Sequence, residues 1–575
     1  MATQNSEDFF LTGKNKKALF TLKVYRGDGM ALLAMNWKKE QPPKDFVGFS
    51  IEYKEPNGDR FYSVKNRLSF LNNDGTVCKD TKSSLLSPIQ MFRWVHFPRN
   101  ASMNGTFVYK VKPVFMNFFE ELSYGESQQV EIELHRETYK DSLDVAFTRG
   151  YVSSQSFVDK YNSDGGINAL LPKNSKSGLD FVPTHPKAKS ALQWMGFDSS
   201  ADILKLLNEA IKDKTAEVKV IAYDLNLPEI AEKLEKLKER LTIIIDDSGE
   251  HAEEDSAETQ VFERLHLSTG GRVKRQHVGQ LQHNKVIVVN GEKVKAAVCG
   301  STNFTWRGFY VQSNNAVIVR GEKAIAPFLQ AFDNYWNNDS VSSFAKTDSA
   351  LWNDLELPNI DAKISFSPHS AKNALLDDIA TDIADTQSSL FYSLAFLSLT
   401  TGSLKEKIVE VLDSENIFVY GISDKRMGGL ILQKPNGNAY PMYPSEISKD
   451  LPEPFKSEPT GGFGTRMHHK FVVIDFDKPT ARVYLGSYNF SSTADRKNGE
   501  NLLLIKDRKI AVSYMIEALR IFDHYHFRVN LKEAKESNKK LFLSKPPQKG
   551  ENAWWEKFYT DPKKIKDREM FCKNS

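Results

Sequence analysis

The sequence predicts an α/β fold that is built from two copies of one unit and preceded by an all-β module. Two observations predict the duplication: a His-x-Lys segment occurs twice, and a Gly-Ser-x-Asn segment follows each copy at nearly the same distance. A third observation sets the all-β module apart, because residues up to about 136 lack the alternation of strands and helices that follows. At 575 residues, the chain is too long for a single hydrophobic core.

Residues 18–136 are predicted to form an antiparallel β-sandwich, and residues 1–17 an N-terminal tail. Short alternating or apolar runs such as 46–53 and 107–111 are separated by turn signals, for example at 56–59. Strands at this spacing resemble a fibronectin type III or immunoglobulin-like module. Such a module more often binds a partner than catalyses a reaction, so we expect that it can recruit a protein partner.

Residues 143–349 and 360–530 are predicted to form two α/β units that align strand by strand. The apolar run 218–223 matches 390–395, and each run precedes a segment with apolar residues at helical spacing. Residues 531–575 form a basic C-terminal extension with two adjacent tryptophans. We expect this extension to dock on the protein, because both indole rings would otherwise be exposed.

Each His-x-Lys segment places an imidazole and an ammonium group on one face of a predicted strand, because side chains two residues apart share a face. The first segment contains His283 and Lys285, and the second contains His468 and Lys470. The polar residues that follow each copy are Ser301, Asn303 and Asn314 in the first, and Ser487, Asn489 and Glu500 in the second. Asn303 follows His283 by 20 residues, and Asn489 follows His468 by 21 residues. Asn314 and Glu500 each come 11 residues after these asparagines. Two copies of a half-site imply one active site at a pseudo-twofold interface.

Two imidazoles, two ammonium groups and two carboxamides that face one point suit a phosphodiester substrate. One histidine can attack phosphorus and become a phosphohistidine, while the other protonates the leaving oxygen and later activates water. The lysines, together with Ser301, Asn303, Ser487 and Asn489, are expected to bind and orient the phosphate oxygens. This chemistry requires neither a metal nor a cofactor, and none is predicted, since no carboxylate cluster suited to magnesium is evident near either segment.

These residues resemble the phospholipase D superfamily, whose members carry the motif HxKxxxxD, in this chain over roughly 143–530 with two motifs. The resemblance implies two phospholipase D-like α-β-α sandwich halves around one active site, and a phosphodiesterase activity that hydrolyses ester bonds. It also implies His283 as the nucleophile and His468 as the general acid and base. The residues alone leave the reverse assignment open.

The chain departs from the family pattern at two positions. Asn290 stands where the first motif has an Asp, and Asn314 stands where the second copy has Glu500. In the family this Asp orients an imidazole, which implies that Asp475 of the second motif backs His283 and that the other histidine loses a carboxylate partner. Asp475 and Glu500 are therefore counted among the candidate catalytic residues.

The substrate class is less constrained by the sequence than the chemistry. The net charge of +3 indicates no partner, but the basic run 272–275 precedes the first motif and could attract a polyanion. No secretory signal or transmembrane segment is evident, and three distant cysteines suit a reducing compartment, so a cytoplasmic location is expected. We therefore favour a nuclease-like enzyme acting on nucleic acid. The alternatives are a phospholipase D that acts on phospholipid headgroups and a degenerate, non-catalytic phosphate-binding module.

Overall fold

The computed structural model describes most of the chain. Side chains are described for residues 9–423, 467–526 and 541–573, except at 73, 79, 81, 102, 135–137, 151–156, 158–159, 396, 398–401, 415 and 563. For 424–425, 429–433, 439–442, 527–536 and 563, the backbone alone is described.

The N-terminal module is a β-sandwich of two antiparallel sheets. Its strands are β1 (Phe10–Thr12), β2 (Phe20–Arg26), β3 (Ala31–Trp37), β4 (Phe46–Lys54), β5 (Tyr62–Ser63), β6 (Lys65–Asn66), β7 (Lys82–Ser83), β8 (Arg93–His96), β9 (Thr106–Met116), β10 (Leu122–Tyr124) and β11 (Gln128–Glu133). One sheet has the order β1-β2-β3-β8, the other has the order β10-β9-β4-β5 with β11 also paired to β9, and β6 pairs with β7. Strand β1 lies inside the segment predicted as a tail, because it pairs with β2 and its neighbour Phe9 is buried.

The first α/β unit is a seven-stranded sheet with helices on its faces. Its strands are β12 (Leu143–Phe147), β13 (Glu217–Ala222), β14 (Leu241–Ile245), β15 (Val273–Arg275), β16 (Lys285–Asn290), β17 (Lys295–Gly300) and β18 (Asn315–Arg320). Its α-helices are α1 (Ala188–Lys212), α2 (Pro228–Glu235), α3 (Ala257–Thr269), α4 (Trp306–Tyr310), α5 (Glu322–Asn337) and α6 (Val341–Phe344), with 3-10 turns at Gly166–Ala169, Lys238–Arg240, Gly249–Ala252 and Asp348–Ala350. The strand order is β12-β18-β17-β16-β13-β14-β15, which places β16, the strand of the first motif, in the centre of the sheet.

The second α/β unit repeats this topology. Its strands are β19 (Asn353–Asp354), β20 (Asp361–Ser367), β21 (Ser389–Leu394), β22 (Phe418–Lys425), β23 (Gly429–Gln433), β24 (Ala439–Met442), β25 (Lys470–Ile474), β26 (Arg482–Gly486) and β27 (Glu500–Lys506). Its helices are α7 (Leu376–Ala384), α8 (Ser403–Asp413), α9 (Ser492–Arg496) and α10 (Arg508–Glu536). The order β20-β27-β26-β25-β21-β22 matches β12-β18-β17-β16-β13-β14 of the first unit, so the predicted duplication is confirmed.

The central strands are apolar because both of their faces are covered. In β16, Val286 and Val288 belong to one hydrophobic core, whereas Ile287 and Val289 belong to another on the opposite face. The first of these cores also contains residues of the sandwich, of the second unit and of α10, so it joins the three parts of the protein. None of the helices in the described part of the chain is long and apolar enough to cross a membrane.

The C-terminal extension docks on the sandwich, as its tryptophans led us to expect. It contains two short helices, α11 (Lys557–Thr560) and α12 (Pro562–Met570). Trp554 and Trp555 are part of the sandwich core, and the Nε1–H of Trp554 donates a hydrogen bond of 3.0 Å to the carbonyl oxygen of Phe46. The extension thus completes the hydrophobic core of the N-terminal module.

We expect Trp554→Ala to lower the free energy of unfolding by about 3–5 kcal/mol, because it leaves a cavity in the sandwich core and removes the hydrogen bond to Phe46. Chemical denaturation followed by circular dichroism would measure the change. Phe118→Ala is the matched control, since that ring is 95% exposed on the same module and its loss should change stability by less than about 0.5 kcal/mol. Equal effects of the two substitutions would contradict the docking of the extension.

Candidate active site

The two histidines of the repeated segments face each other across the boundary between the two units. His283 directly precedes β16 and His468 directly precedes β25, and their ring centroids lie 6.5 Å apart. Two short parallel bridges hold this boundary, Gln282 with Gly499 and Met467 with Ser313. Gln282 and Met467 directly precede the two histidines. Their partners, Gly499 and Ser313, directly precede Glu500 and Asn314 of the opposite unit. The arrangement confirms a single site between the units.

Each imidazole is held by the opposite unit. Nδ1 of His283 lies 2.7 Å from Oε2 of Glu500, and the backbone of Ser487 also hydrogen-bonds to this ring. Nδ1 of His468 lies 2.8 Å from Oδ1 of Asn314 and 3.1 Å from the carbonyl oxygen of Ser301. Because Nδ1 is engaged in both rings, Nε2 is the nitrogen left for a substrate.

The lysines of both segments are buried beneath the histidines. Lys285 donates a hydrogen bond to the carbonyl oxygen of His283, and Lys470 donates one of 2.9 Å to the carbonyl oxygen of His468. Burial lowers the pKa of Lys285 to about 8, although the carboxylates of Glu500 and Asp224 oppose this shift. Two ammonium groups without bulk water around them make a strong site for an anion.

Burial also lowers the pKa of both histidines well below the ordinary value, and the neighbouring Lys285 and Lys470 add to this effect. Both imidazoles are therefore neutral in the free protein. Burial raises the pKa of Glu500 to about 8. The 2.7 Å contact between Glu500 and His283 thus joins two groups whose titrations are coupled.

The glycines of the Gly-Ser-x-Asn segments allow a close approach of two backbone segments. Gly300 and Gly486 have φ angles of 133° and 146°, and a Cβ at these positions would lie 2.6 Å and 2.2 Å from the carbonyl oxygens of Asn315 and Asn501. No L-residue fits such a position without displacing the backbone. The glycines therefore fix the loops that carry the serines and asparagines.

The two serines hold these loops instead of lining the cleft. The Ser301 hydroxyl donates to Oδ1 of Asn314 at 2.9 Å and accepts from the backbone of Asn315 at 3.0 Å. The Ser487 hydroxyl accepts from the backbone of Asn501 at 3.0 Å and hydrogen-bonds to Glu500. Both serines are fully buried, which argues against the direct phosphate contact expected from the sequence.

Asn303 and Asn489 remain candidates for contact with phosphate oxygens. Nδ2 of Asn303 donates a hydrogen bond of 2.6 Å to Asp224, which leaves its second N–H available. Among the described residues, neither Asn303 nor Asn489 has a hydrogen-bond partner at its buried Oδ1. Because an amide oxygen only accepts a hydrogen bond, a phosphate oxygen would be bound through the Nδ2 groups of these asparagines and not through Oδ1.

The expected pairing of Asp475 with His283 is wrong. Asp475 follows the far end of β25, where it accepts hydrogen bonds of 3.0 and 2.8 Å from the backbone N–H groups of Gln387 and Ser388. Asp475 comes seven positions after His468 along an extended segment, which corresponds to a distance of roughly 20 Å at the rise of a strand. Asn290 lies at the same end of β16 and accepts a 3.4 Å hydrogen bond from Lys295. Neither position of the motif reaches the cleft, and Glu500 and Asn314 take the role that was assigned to the Asp.

A group that sequence reasoning missed lies beside the first half-site. Asp224, His251 and Asp246 form a row in which His251 contacts Asp224 at 2.8 Å and Asp246 at 2.7 Å. Burial alone would disfavour the charged imidazole, but these two carboxylates outweigh burial and raise the pKa of His251 to about 11. Asp224, His251 and Glu258 also have the donor types of a metal site, with atoms within 4.8 Å of one another. The available signal was that both aspartates follow apolar strands, β13 and β14, at the same edge of the sheet as His283.

The basic run before the first motif is largely tied to the protein. Arg275 donates hydrogen bonds of 3.1 Å and 2.6 Å to the carbonyl oxygens of Asp246 and His251, and Lys274 donates one of 2.7 Å to that of Trp336. Arg275 therefore stabilises the loop that carries His251, and Lys274 contacts the end of α5. They give less support to a polyanion-binding patch than the sequence suggested.

The fold and the site define a protein with two related α/β units and one paired His-Lys centre. A family model described as "Cardiolipin synthase, PLD-like domain" matches residues 203–336 and 416–521, one segment in each unit. Both α/β units of the chain are thus similar to a phospholipase D-like domain.

Sequence relatives and solved structures share this likeness at a lower level. Phospholipase D of Rickettsia prowazekii (strain Madrid E) is 48% identical over 48 residues, which are 8% of this chain and 22% of that protein, and phospholipase D of Rickettsia felis is 44% identical with the same coverage. The chain thus spans about a fifth of the length of these curated relatives.

Three solved structures align with parts of this chain. Phosphatidylserine synthase of Haemophilus influenzae is 15% identical, with 56% of this chain and 84% of that chain covered and a TM-score of 0.40. Nuc of Salmonella typhimurium is 18% identical, with coverages of 30% and 95% and a TM-score of 0.18. Yeast tyrosyl-DNA phosphodiesterase is 10% identical, with coverages of 54% and 88% and a TM-score of 0.30. At these identities and TM-scores, the likeness carries no information about activity.

We expect Asn314→Asp to raise the pKa of His468, because a carboxylate would replace the amide oxygen that lies 2.8 Å from its Nδ1. NMR titration of the imidazole would show the midpoint at higher pH than in the wild type. Asn290→Asp is the matched control: it restores the Asp of the motif but lies at the far end of the strand, so both histidines should titrate as in the wild type. A shift caused by Asn290→Asp alone would restore the role of the motif Asp.

Proposed function

We propose that the protein is a phosphodiesterase that cleaves its substrate through a phosphohistidine on His283, with charge stabilisation from its own side chains instead of a metal ion. The observation that supports this proposal is the pair of buried imidazoles whose centroids lie 6.5 Å apart, each fixed through Nδ1 by the opposite unit. The proposal places one phosphorus centre between the two rings. Lys285 and Lys470 then offset the charge of the phosphate.

In the first step, Nε2 of neutral His283 attacks phosphorus as the bond to the leaving oxygen breaks. The leaving oxygen takes a proton from Nε2 of His468. This histidine is neutral in the free protein, but the bound anion offsets both lysines and raises its pKa, so it is protonated in the complex. In the second step, His468 takes a proton from water, the water oxygen attacks phosphorus, and the bond from phosphorus to His283 breaks. The products are an alcohol and a phosphomonoester.

The unequal partners of the two imidazoles support His283 as the nucleophile. A phosphohistidine that carries a proton at Nδ1 is positively charged, and Glu500 can stabilise that charge through the 2.7 Å contact. Asn314 offers His468 only a neutral oxygen, which suits a histidine that must gain and lose a proton within one turnover. The reverse assignment would place the charged intermediate against an amide.

Nucleic acid is the substrate class that we favour over phospholipid. Arg307 is exposed and close enough for its charge to lower the pKa of His468, so a cation lies at the cleft where a flanking phosphate could bind. The most exposed aromatic side chains of the described residues, Phe118 and Phe119, belong to the sandwich instead. A cytoplasmic location remains the accompanying expectation, and it is in keeping with the free cysteines.

Two alternatives have specific support. The 48-residue match to proteins named phospholipase D favours a phospholipid headgroup as the substrate. The amide at Asn314 favours a protein that binds phosphates without turnover, because a carboxamide cannot stabilise an imidazolium by charge. A covalent phosphoryl-enzyme separates this last alternative from both enzymes.

We expect His468→Ala to accumulate a phosphoryl group on His283 when it is given bis(p-nitrophenyl) phosphate. A nitrophenolate leaves without an acid, whereas hydrolysis of the intermediate needs the missing base, so the first step outruns the second. Intact-protein mass spectrometry at neutral pH would measure the adduct, and His283→Ala should show none. His266→Ala, which removes an exposed histidine of α3, should turn over like the wild type. Adduct formation in His283→Ala, but not in His468→Ala, would reverse the two roles.

For the substrate class, we expect the wild type to cleave labelled nucleic acid in EDTA and His283→Ala to be slower by a factor of roughly 100 or more. Single-stranded and double-stranded DNA and RNA should be tested beside phosphatidylcholine vesicles. Choline release from the vesicles without cleavage of nucleic acid would instead identify a phospholipase. Loss of cleavage in EDTA, with recovery on addition of a divalent metal, would contradict the metal-independent mechanism.

A further inference from the structure

A continuous row of hydrogen bonds runs from Asn303 to the backbone that carries His283. Nδ2 of Asn303 donates to Oδ2 of Asp224 at 2.6 Å, and Oδ1 of the same carboxylate lies 2.8 Å from Nε2 of His251. Nδ1 of His251 lies 2.7 Å from Oδ2 of Asp246. Oδ1 of Asp246 then accepts a 2.6 Å hydrogen bond from the backbone N–H of Gln282, the residue before His283.

His251 must be protonated to make this row. Both of its ring nitrogens face carboxylate oxygens, and a carboxylate only accepts, so each nitrogen has to donate. A neutral imidazole has one N–H and could satisfy only one side. Asp246 is fully buried and is further held by the backbone N–H and the hydroxyl of Ser248, so the row is fixed at that end.

The aromatic ring of Tyr223 packs the row against the catalytic centre. Its centroid lies 4.8 Å from the His251 ring on one side and 4.6 Å from the His283 ring on the other. Nζ of Lys285 lies 4.6 Å from the same ring centroid. A displacement of His251 would therefore reach the nucleophile through packing as well as through hydrogen bonds.

We propose that His251 is a positioning residue: its imidazolium fixes Asp224, which aims the Asn303 amide at the bound phosphate, and fixes Asp246, which sets the backbone of His283. This role rests on the proposed function, since it assumes that Asn303 contacts the phosphate. In the part of the chain that the structure describes, the row lies in the first unit. By the strand pairing of Ala222 with Lys285 and of Leu394 with Lys470, the position of Asp224 corresponds in sequence to Phe396, which cannot accept a hydrogen bond from Asn489.

The same residues offer the donor types of a metal site, but the hydrogen bonds favour the row. A metal on His251 would need a ring nitrogen without a proton, whereas both nitrogens face carboxylates that require one. Oε1 of Glu258 is also engaged, since it accepts a 3.0 Å hydrogen bond from the backbone of Leu225. The alternative of a bound metal is tested together with the proposal.

A double-mutant cycle between His251→Phe and Asn303→Ala tests the proposed role. The measured quantities are kcat and KM for bis(p-nitrophenyl) phosphate in EDTA, and the calorimetric Kd of tungstate as a phosphate analogue. We expect His251→Phe alone to lower kcat/KM by about 10–100-fold, the usual effect of losing a residue that orients a catalytic group. In the Asn303→Ala background, the same substitution should cost much less, because the amide it positions is already gone.

His277→Phe is the matched control. His277 forms a 2.7 Å contact with Asp247, the neighbour of Asp246, but this His–Asp pair is on the surface. Its loss should leave kcat/KM within about twofold of the wild type. Because His251→Phe could fail to fold, Asp224→Leu provides a second cycle with Asn303→Ala: it approximately keeps the size of the side chain and removes both oxygens that could accept from the amide.

The outcomes separate the proposal from the function on which it rests. The positioning role would be overturned if the two single substitutions reduce kcat/KM and tungstate affinity independently. The reduction in the double variant would then equal the product of the two single reductions. Turnover that is lost in EDTA and restored by a divalent metal would also overturn it, in favour of a metal on His251. In a third outcome, the wild type does not turn over the diester, but the variants show coupled losses of tungstate affinity. This result would refute the catalytic function and retain the positioning role of His251.

Discussion

The site depends on one constraint, which is that each catalytic imidazole is held by the unit that does not carry it. The contacts of His283 with Glu500 and of His468 with Asn314 cross the boundary between the units, and the two parallel bridges beside them do the same. The side chain at Nδ1 of each imidazole comes from the other unit. Folding of both units and closure of their interface are therefore conditions for the site, which explains why the shared core around α10 is so extensively buried.

The electrostatic state of the free protein prepares this site for an anion. Moving the pKa of Lys285 from its ordinary value of 10.5 to about 8 corresponds to roughly 3 kcal/mol of unfavourable environment for the cation. An anion beside the Lys285 ammonium group would offset part of this cost, which favours anion binding at the site. The same event would protonate His468. Phosphate binding and preparation of the general acid are thus one electrostatic process.

The sequence predicted the parts of the site that depend on local periodicity, and it failed where the contact is distant along the chain. The positions of His283 and Lys285 follow from strand alternation, and the duplicated topology follows from the matched spacings. The role of Asp475 was assigned by family pattern, although a residue beyond the far end of a strand cannot approach a histidine before its start. Asp224 and His251 were missed because single polar residues after apolar strands carry no periodic signal. Only the packing of three loops brings them to Asn303.

Two departures from twofold symmetry in the described residues place more charge around His283. Glu500 backs His283 with a carboxylate, where Asn314 gives His468 an amide. The row of Asp224, His251 and Asp246 supports the same side, and the second unit has a phenylalanine in the sequence position of Asp224. A symmetric site would let either histidine attack and would divide the substrate between two orientations. In the proposed mechanism, fixed charge around His283 would lower the free energy of one cationic intermediate relative to the other, so the duplicated scaffold would favour one direction of attack.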